Sequence, residues 1–576
     1  MNNITACPLD CYDACVVEYT DKKLKGYKKG LTQGFLCPHL NHYADFKRIE
    51  EPRYKGETIT MDEAIGHLKT ILKQSKNILH YKGNGNFGLM QEVTDHFFTS
   101  YGATLTNGTL CDGAGEAGII EGRGHNDIMT PSQIAKSEVV VFWGRNPHAT
   151  SSHLLPLIKD KKVIVIDPVK TKAAEHADLH VQIKPHGDLQ FAMLLSRFLC
   201  IEGSVDLSFV NRCASEHEDF YELTQTVRIK AVLDEIGATL GDIGKFLEII
   251  KDKRVAIICG VGIQKYRDGA DVIRAIDSFA ALLGLFGKEG CGVSYLGSSR
   301  AGIESPFASA AKKVSKVDTR FGDFDTVFVQ GTNPLNQMPD TARVKKEMQN
   351  VENLIYFGLF ENQTSAMADL IIPAKNFLEK DDVRTYYGTH YLSLMPKQKE
   401  SDIGISEYGL ARVLCDEFGI VLKSEEEYLE HFKSFARQNE EGLLEVKGRS
   451  VISYEEGFTT DDEEFAFLEE IDIEFNMTDD FFLITSKSPT SLNSQFKTDN
   501  KVYINPSLGY IEGQTVEIVS KTGSVVLSVA LDGRLRPDCV LIYSGTDGVN
   551  NLTTSKRSFE GNSAVFQENK VKIKII

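Results

Sequence analysis

The sequence lacks three features that would place the protein at a membrane or on nucleic acid. No stretch approaches the roughly 18–20 consecutive apolar residues that span a bilayer. The N-terminus shows no basic segment followed by an apolar one, and no twin-arginine pair. The 64 basic and 81 acidic residues give a net charge of −17, which opposes binding to nucleic acid or anionic lipid. We therefore expect a cytoplasmic protein with no membrane span and no nucleic-acid partner.

What is present is an ordinary globular composition, with 42% hydrophobic and 25% charged residues. At roughly 100–200 residues per domain, the 576 residues predict about three to five domains. A chain of this length can bury several cores without disulfides. These properties exclude a disordered regulator, a collagen-like fibre and a small disulfide scaffold.

The eleven cysteines are the most informative residues of the sequence. Their odd number, in a sequence without an export signal, favours reduced thiols or metal ligands over disulfides. Five of them stand out. Four lie near the N-terminus, and Cys111 lies in the glycine-rich segment 108–115. The other six lie singly in apolar or helical surroundings, where cysteine behaves as a small hydrophobe: Cys200, Cys213, Cys259, Cys291, Cys415 and Cys539.

The N-terminal set Cys7, Cys11, Cys15 and Cys37 has the spacing C-x3-C-x3-C-x21-C. Four thiolates suit either zinc or an iron–sulfur cluster. Zinc sites usually pair their cysteines in two C-x2-4-C knuckles, whereas here three crowd into nine residues and the fourth stands apart. This arrangement favours the four corners of a [4Fe–4S] cubane. A zinc site and four unrelated buried cysteines remain the alternatives.

Near-continuous apolar runs predict parallel strands covered on both faces, because helix-length segments separate them. Ligands of such sheets bind at the carboxyl ends of the strands. Turns rich in Gly, Asn and Asp follow four of the runs, which suggests a large ligand with nucleotide parts in a composite cleft. A G-x-G-x-x-G match at 83–88 lacks the acidic residue of a dinucleotide site and is interpreted as a tight turn. The runs are 138–143, 162–166, 253–259, 326–330 and 354–357.

With these motifs in order over more than 500 residues, the sequence resembles the molybdopterin oxidoreductases of the dimethyl sulfoxide reductase superfamily. The cysteines of 7–15 together with Gly34–Cys37 look like that family's [4Fe–4S] motif. Cys111 falls where the family places the protein ligand to molybdenum or tungsten. The resemblance implies two cofactors: the [4Fe–4S] cluster, and molybdenum or tungsten bis(molybdopterin guanine dinucleotide).

The resemblance also implies a set of cofactor-binding residues in the loops that match the family's motifs. They are Gly144, Asn146, Asp167, Thr171, Gly187 and Asp188 for one pterin guanine dinucleotide, Gly262, Gln264, Gly331, Asn333 and Asp340 for the dinucleotide clefts, and Asn493 and Asn551 for the C-terminal barrel.

The expected fold class is α/β and multi-domain, with doubly wound parallel sheets, a small N-terminal cluster domain and a C-terminal β-barrel of double-psi-like form. Short strands separated by glycine turns predict the barrel. The expected domains are 1–55 for the cluster, 56–110 with 323–420 for α/β domain II, 111–322 for a Rossmann-like domain III, 421–478 for an acidic linker or surface helices, and 479–576 for the barrel.

The implied function is two-electron chemistry on a small-molecule substrate, with Cys111 and Asp112 as catalytic residues. The cluster would relay electrons to a protein partner. Two residues depart from the family. His39 stands where a lysine or arginine often links cluster to pterin, so a relay there would depend on pH. Asp112 stands where formate dehydrogenases of the family carry histidine, and its carboxylate would repel formate. Asp112 could transfer protons or cap the following helix.

Two other readings stay open. One is a non-redox hydratase or lyase on the same cofactor frame. The other is a non-catalytic iron–sulfur subunit resembling the large subunit of complex I, although the retained Cys111 and pterin-loop residues argue against it. Glu116, Arg123 and His125 are further candidates near the metal, with surface or helix roles as the simpler explanation of each. Metal analysis would separate the three functions.

Overall fold

A computed structural model of the chain describes residues 3–41, 43, 46–84, 88–215, 217–307, 310–471, 480–496 and 498–576. The glycine run at 83–88 therefore lies partly outside the described residues. The chain forms two compact units. Unit 1 comprises Met1–Gly108, Ser299–Arg449 and Thr490–Lys497, and unit 2 comprises Thr109–Ser298, Ser450–Pro489 and Thr498–Ile576.

Unit 1 begins with a small antiparallel sheet of β1 (Ile4–Ala6), β2 (Val16–Thr20) and β3 (Lys23–Gly26). β2 and β3 pair as an antiparallel hairpin. The loop between β1 and β2 contains three of the N-terminal cysteines, and helix α1 (Pro38–Asn41) follows the fourth.

An eight-stranded sheet forms the body of unit 1. Its order is β14-β7-β6-β15-β16-β17-β4-β5, parallel except at the last two strands. The central strands are buried on both faces, as their apolar runs predict. The strands are β4 (Arg53–Tyr54), β5 (Glu57–Thr58), β6 (Ile78–Lys82), β7 (Thr104–Asn107), β14 (Lys313–Ser315), β15 (Thr326–Gln330), β16 (Asn353–Gly358) and β17 (Leu370–Pro373).

Helix α2 (Met61–Gln74) covers this sheet and begins with a capping box. The Thr60 hydroxyl accepts the Glu63 amide, and the Glu63 carboxylate accepts the Thr60 amide across 2.8 Å. The helix buries Ala64, Leu68 and Leu72 in the sheet core. The other helices of unit 1 are α3 (Val93–Ser100), α13 (Pro334–Gln337), α14 (Thr341–Met348), α15 (Glu407–Phe418) and α16 (Glu425–Ser434).

The acidic segment 421–478, expected to be a linker or surface helices, is folded over much of its described length. Its α16 packs Tyr428 and Phe432 against a four-stranded antiparallel sheet. Charged residues occupy the exposed face of α16. The acidic composition of the segment therefore reflects this exposed face, while the opposite face of the helix packs. The sheet has the order β18-β19-β21-β20, formed by β18 (Asp382–Thr385), β19 (Tyr391–Met395), β20 (Ala436–Gln438) and β21 (Leu444–Val446).

Unit 2 contains a five-stranded parallel sheet in the order β10-β9-β8-β12-β13. Helices α4 (Gly113–Arg123) and α7 (Asp188–Ile201) both pack on α12 (Gly269–Leu282). The strands are β8 (Val139–Trp143), β9 (Lys162–Ile166), β10 (Leu179–Val181), β12 (Val255–Cys259) and β13 (Gly292–Ser294). The other helices are α5 (Pro131–Lys136), α6 (Pro147–Thr150), α8 (Leu207–Cys213), α9 (His217–Thr226), α10 (Ile229–Ile236) and α11 (Leu240–Ile250).

A closed six-stranded barrel forms the C-terminal part of unit 2 and confirms the predicted C-terminal barrel. Together with the parallel sheets it confirms the α/β multi-domain fold class. Two short pairs complete the strands: β11 (Ala214–Ser215) with β22 (Phe465–Ala466), and β24 (Ser491–Leu492) with β25 (Gln495–Phe496). The barrel strands are β23 (Phe481–Ile484), β26 (Lys501–Ile504), β27 (Thr515–Val519), β28 (Ser524–Leu531), β29 (Cys539–Leu541) and β30 (Lys570–Ile575).

Among the helices that the structure describes, none combines the length and apolar character required to cross a bilayer.

Candidate functional site

The β1–β2 loop of unit 1 gathers the N-terminal cysteines. The Cys7 amide donates to the Cys15 carbonyl across 2.8 Å, so the ends of the loop are joined where the two strands begin to pair. Ala14 adopts a φ of +39°, an uncommon conformation for a residue with a side chain. Cys37 lies just before α1, whose Asn41 amide donates back to the Cys37 carbonyl. The loop and the turn are thus both held by backbone hydrogen bonds.

The four thiols lie close enough to influence one another. Burial raises the pKa of Cys7 to about 12, and the Cys37 thiolate acts in the same direction. Burial also raises the pKa of Cys11 and of Cys15, with Asp13 and the other thiolates adding to the effect. Such thiols ionise together only when a cation compensates their charge. This donor set fits a soft, sulfur-coordinated metal group, and both an iron–sulfur cluster and zinc satisfy it.

A buried arginine supports the cysteine loop, and the sequence analysis missed it. Arg384 of β18 is fully buried and donates from Nη2 to the Leu9 carbonyl across 2.9 Å. Its positive charge lowers the pKa of Cys7, against the larger effect of burial. On the same loop, Asp10 accepts hydrogen bonds from Tyr387 and Asn84. No local pattern marks Arg384, because it is one charged residue in a short strand far from the cysteines in sequence.

His39, the residue in the position of the usual basic relay, is half-buried in α1. Its ring lies 5.6 Å from that of Phe496 in β25. The β24–β25 hairpin also contributes Leu492 to the core that surrounds Cys7 and Cys15.

Cys111 lies in unit 2 on the segment that leads into α4. The Cys111 amide donates to the Thr109 hydroxyl across 2.9 Å, and its carbonyl accepts from Gln264 Nε2 across 2.8 Å. The Lys265 ammonium donates to the Leu110 carbonyl across 3.1 Å. Burial lowers the pKa of Lys265 to about 8, while the negative charges of Cys111 and Asp112 act against that shift. Cys111 is half-buried.

Gln264 and Asn333, both predicted as cofactor contacts, have their side-chain amides engaged by the protein. Gln264 also accepts the Gly115 amide at 3.0 Å, so it ties both sides of the Cys111 segment together. Asn333 donates to Gln363 and accepts from the Thr364 hydroxyl. The structure therefore gives both side chains a role in holding loops at the strand ends.

Two carboxylates follow the carboxyl ends of the unit 2 sheet, Asp188 buried and Asp167 half-buried. Asp167 comes directly after β9, and burial raises its pKa to about 7. Asp188 begins α7, accepts the Trp143 indole N–H at 2.8 Å, and has its pKa raised to about 6 by burial. Asn146, after β8, buries its Oδ1 with no hydrogen-bond partner among the described residues. Desolvated acceptors of this kind suit the N–H groups of a guanine.

The glycines of the strand-end turns divide into those that permit close backbone approach and those that border open space. A methyl group on Gly260 would lie 1.8 Å from the Gly144 carbonyl oxygen, so the turns after β8 and β12 pack backbone on backbone. Gly144 and Gly331 have a φ of +59°, which favours glycine. A methyl group on Gly262 would meet no atom of the described part of the chain within 4 Å, which leaves space for a ligand.

The remaining predicted cofactor residues are spread over both units. Thr171 accepts the Ala174 amide, and Gly187 packs on Ile236. Asp340 has a φ of +54° and accepts a hydrogen bond from Arg343. Asn551 ends a short helical turn that follows β29 in the barrel.

Asn493 lies elsewhere than the sequence indicated. The sequence assigned it to the C-terminal barrel. The structure places it at the turn of the β24–β25 hairpin, which belongs to unit 1. Its φ of +53° suits a two-residue hairpin turn.

The three further candidates near Cys111 also have defined surroundings. Burial raises the pKa of Glu116, in the first turn of α4. Arg123 is fully buried and pairs with Asp277 of α12, which is a packing role between two helices. The His125 ring nitrogen Nδ1 lies 2.9 Å from the Thr459 hydroxyl.

Unit 2 also contains buried hydroxyls that have no hydrogen-bond partner among the described residues, and the sequence analysis missed them. Ser544 and Thr546 follow β29, Ser563 lies beside the Thr109 strand bridge, and Tyr295 follows β13. A buried hydroxyl without a partner is costly, so such groups indicate a missing ligand or water. A pterin guanine dinucleotide, rich in polar atoms, fits this set of donors and acceptors.

The comparisons with known proteins agree on one family. A family model described as "Molybdopterin oxidoreductase" matches residues 63–390. "Probable oxidoreductase YyaE" of Bacillus subtilis (strain 168) is 26% identical over 67% of this chain and 64% of its own length. "Formate dehydrogenase H" of Escherichia coli (strain K12) is 22% identical over 66% of this chain and 63% of its own length. The chain thus spans just under two thirds of the length of these relatives.

A solved structure extends the likeness to the whole chain. The acetylene hydratase from Pelobacter acetylenicus superposes with a TM-score of 0.77 over 100% of both chains, at 14% sequence identity. At this identity the likeness shows the fold alone.

Proposed function

This chain belongs to the molybdopterin oxidoreductase family, and from that premise we propose that it is a molybdenum or tungsten bis-pterin oxidoreductase acting on a small molecule. Cys111 would hold the metal. Cys7, Cys11, Cys15 and Cys37 would hold a [4Fe–4S] cluster that passes electrons to a protein partner.

The observation that carries the proposal is the environment of the two cysteine sets. Cys7 and Cys15 are buried, Cys11 and Cys37 are half-buried, and desolvation raises the pKa of all four thiols. A fifth thiol is half-buried on a segment held by three separate hydrogen bonds. The first set suits a closed, permanent metal group, and the second suits an open one.

The bound cofactor would supply the two-electron chemistry, and the protein would supply binding, orientation and proton handling. Gln264, Thr109 and Lys265 fix the Cys111 segment and therefore the direction of its thiol. Asp112, next to the ligand, would exchange a proton with the substrate. Glu116, whose pKa burial raises, can hold a proton one turn further along α4.

The nucleotide tails of the cofactor would bind at the carboxyl ends of the parallel strands. Asp167 and Asp188 offer carboxylates to guanine N–H groups, and the Asn146 Oδ1 is available as an acceptor. The glycine turns after β8 and β12 allow the cofactor to approach the backbone.

The Cys111→Ala variant tests the proposal, with Cys200→Ala on α7 as the matched control. Both are compared after anaerobic purification by viologen-coupled turnover and by electron paramagnetic resonance of the reduced cluster. We expect Cys111→Ala to lose turnover and keep the cluster signal, and Cys200→Ala to keep both. Unchanged turnover in Cys111→Ala would remove the assignment. Metal-replete wild type without viologen turnover would indicate the hydratase or lyase alternative instead.

A further inference from the structure

The β2–β3 hairpin and the turn after it carry a positively charged surface that the proposed function leaves without a role. Five lysines occur within residues 22–29, and all five are exposed. The segment 16–41 has only two acidic residues, Glu18 and Asp21, whereas the whole chain has a net charge of −17. We call this surface the basic face, and its members are Lys22, Lys23, Lys25, Lys28 and Lys29.

Alternation along β3 separates the basic face from the protein core. Lys23 and Lys25 are exposed, while Leu24 between them packs against the core that surrounds the N-terminal cysteines. Within the described residues, only Lys25 of the basic face takes part in an ion pair, with Asp21 at 3.5 Å. Neighbouring ammonium groups repel one another and do not stabilise the hairpin, so the basic face suits an external partner.

The basic face and the Cys37 turn form one tightly joined element. A methyl group on Gly26 would lie 2.5 Å from the Phe35 carbonyl oxygen, so the end of β3 packs on the backbone just before Cys37. The Thr32 hydroxyl donates to the Tyr27 carbonyl across 2.7 Å, and the Phe35 amide donates to the Thr32 carbonyl across 3.0 Å. A protein bound to the basic face is therefore held at a fixed position relative to Cys37.

The same element includes Cys37, one of the two N-terminal cysteines that are only half-buried. Phe35, two residues before it, is 39% exposed. Interfaces between proteins have aromatic side chains near their centre and charged ones at their rim. Phe35 supplies the apolar contact, and the basic face supplies the charge, that such an interface needs.

The charge of the whole chain favours a particular kind of partner. An acidic protein is attracted to the basic face and repelled by the rest of a molecule whose net charge is −17, so electrostatics would orient it on the lysines. RNA and anionic lipid also attract lysines, but they extend beyond so small a surface and meet the acidic remainder of the chain. A small, compact protein avoids that repulsion.

We propose that the basic face, together with Phe35, is the docking surface for a small acidic protein that carries one electron at a time. The inference rests on the proposed function and adds the chemistry and the position of its electron partner. In each encounter one electron moves between the carrier and the cluster, so one is oxidised as the other is reduced. Two encounters supply or remove the two electrons of one turnover. Proteins that exchange electrons form small complexes, for which a surface of this size suffices.

The first test measures how fast a reduced acidic ferredoxin and a reduced acidic flavodoxin pass an electron to the oxidised full-length protein, by rapid-freeze paramagnetic resonance. We expect rate constants that fall as the salt concentration rises, because the docking is electrostatic. The triple variant Lys23→Glu, Lys25→Glu and Lys28→Glu should lower the rate constants at low salt roughly tenfold or more. Reduced methyl viologen, a small cation that needs no docking surface, should reduce the variant no more slowly than wild type.

The matched control reverses three exposed lysines of unit 2, Lys230→Glu, Lys245→Glu and Lys251→Glu, and so changes the net charge equally. Its rate constants with both carriers should stay close to those of wild type. Equal slowing in the two triple variants, or wild-type rates that do not depend on salt, would overturn the inference. The same holds for a wild type that viologen reduces and neither carrier reduces.

The Phe35→Ala variant tests the apolar part of the surface. It should slow both carriers at low and at high salt, because the contact that it removes does not depend on charge. The rate with viologen should not change. Unaltered rates with both carriers would overturn the part of Phe35 in docking.

The second test addresses the other polyanions. Wild type and the variant with the reversed basic face are mixed with phosphatidylglycerol vesicles and with a single-stranded oligonucleotide, at the salt concentrations of the kinetic experiment. We expect no binding that depends on the basic face. Such binding, combined with unchanged electron transfer in the variant, would overturn the inference. Protein without iron, or without a cluster signal after reduction by viologen, would instead refute the proposed function.

Discussion

Arg384 donates a hydrogen bond to the carbonyl oxygen of Leu9 across 2.9 Å, although 375 positions separate the two residues. The contact fastens the cysteine loop to β18 within unit 1. It also brings a fully buried positive charge to a group of thiols that repel one another. The residue that holds the loop is thus also the one whose charge would favour the reduced, more negative form of the proposed cluster.

Replacing Arg384 with glutamine should lower the reduction potential of the cluster, because the buried positive charge stabilises the reduced form. The loss of the Leu9 partner should also reduce the free energy of unfolding by about 1–3 kcal/mol. A redox titration followed by paramagnetic resonance measures the potential. Arg384→Lys retains the charge and should keep most of the wild-type value. An equal or higher potential in Arg384→Gln at full iron content would contradict this role.

Replacing Gln264 with alanine should lower the molybdenum or tungsten content and leave the iron content unchanged. The side chain joins the Cys111 carbonyl to the Gly115 amide, so its loss frees the segment that directs the thiol. Its loss should cost about 1–3 kcal/mol of stability, since buried backbone groups lose their partners. Elemental analysis gives the metal content. Gln225→Ala on the exposed face of α9 is the control, and equal molybdenum or tungsten in both variants would argue against this role.

The carboxyl group of Asp167 should make the cofactor-free chain less stable as the pH rises. Burial raises the pKa of Asp167 in the folded state to about 7, whereas an unfolded aspartate has a pKa of about 4. The carboxyl therefore contributes its full stability to the folded state below about pH 4, and this contribution is lost as the pH rises to about 7. Asp167→Asn should therefore raise the melting temperature most above pH 7 and little at pH 4.

Asp178 is the matched control for this pH dependence. Lys162 and backbone amides hold the pKa of Asp178 below its usual range, against the effect of burial. Its contribution to stability is present above about pH 4 and lost on acidification, so Asp178→Asn should lower the melting temperature at pH 7. The same sign of shift at pH 7 for both variants would show that burial does not govern Asp167.

Adding a methyl group to Gly260 should disrupt the turns that would hold the cofactor. The methyl would collide with the Gly144 carbonyl, which is backbone and cannot rotate away. We expect a loss of about 1–3 kcal/mol in unfolding free energy and reduced pterin content. The methyl group of Gly262→Ala would meet no atom of the described residues within 4 Å, so the chain without cofactor should keep its stability. If both variants melt alike without the cofactor, the close approach of the two turns does not matter for the fold.

Five strands of the parallel sheets, β8, β9, β12, β15 and β16, could be predicted from the sequence, because a strand buried on both faces is apolar throughout. The run at 162–166 coincides with β9, and the run at 138–143 begins one residue before β8. The spacing of the N-terminal cysteines likewise predicts that their thiols lie close together, since three of the four lie in one short loop.

The supporting residues could not be predicted in this way. Arg384 acts on a segment far away in sequence, and nothing in its own neighbourhood marks it. Asn493 lies just past the start of the barrel in sequence, yet its hairpin belongs to unit 1. Tertiary packing determines where Arg384 and the Asn493 hairpin lie, and the local sequence pattern does not indicate it.

Metal and pterin analysis of wild-type protein, purified without oxygen, tests the central claim most directly. The account predicts about four iron atoms per chain, together with molybdenum or tungsten and a pterin guanine dinucleotide. Protein that contains zinc in place of iron, or iron without molybdenum, tungsten or pterin, would contradict it.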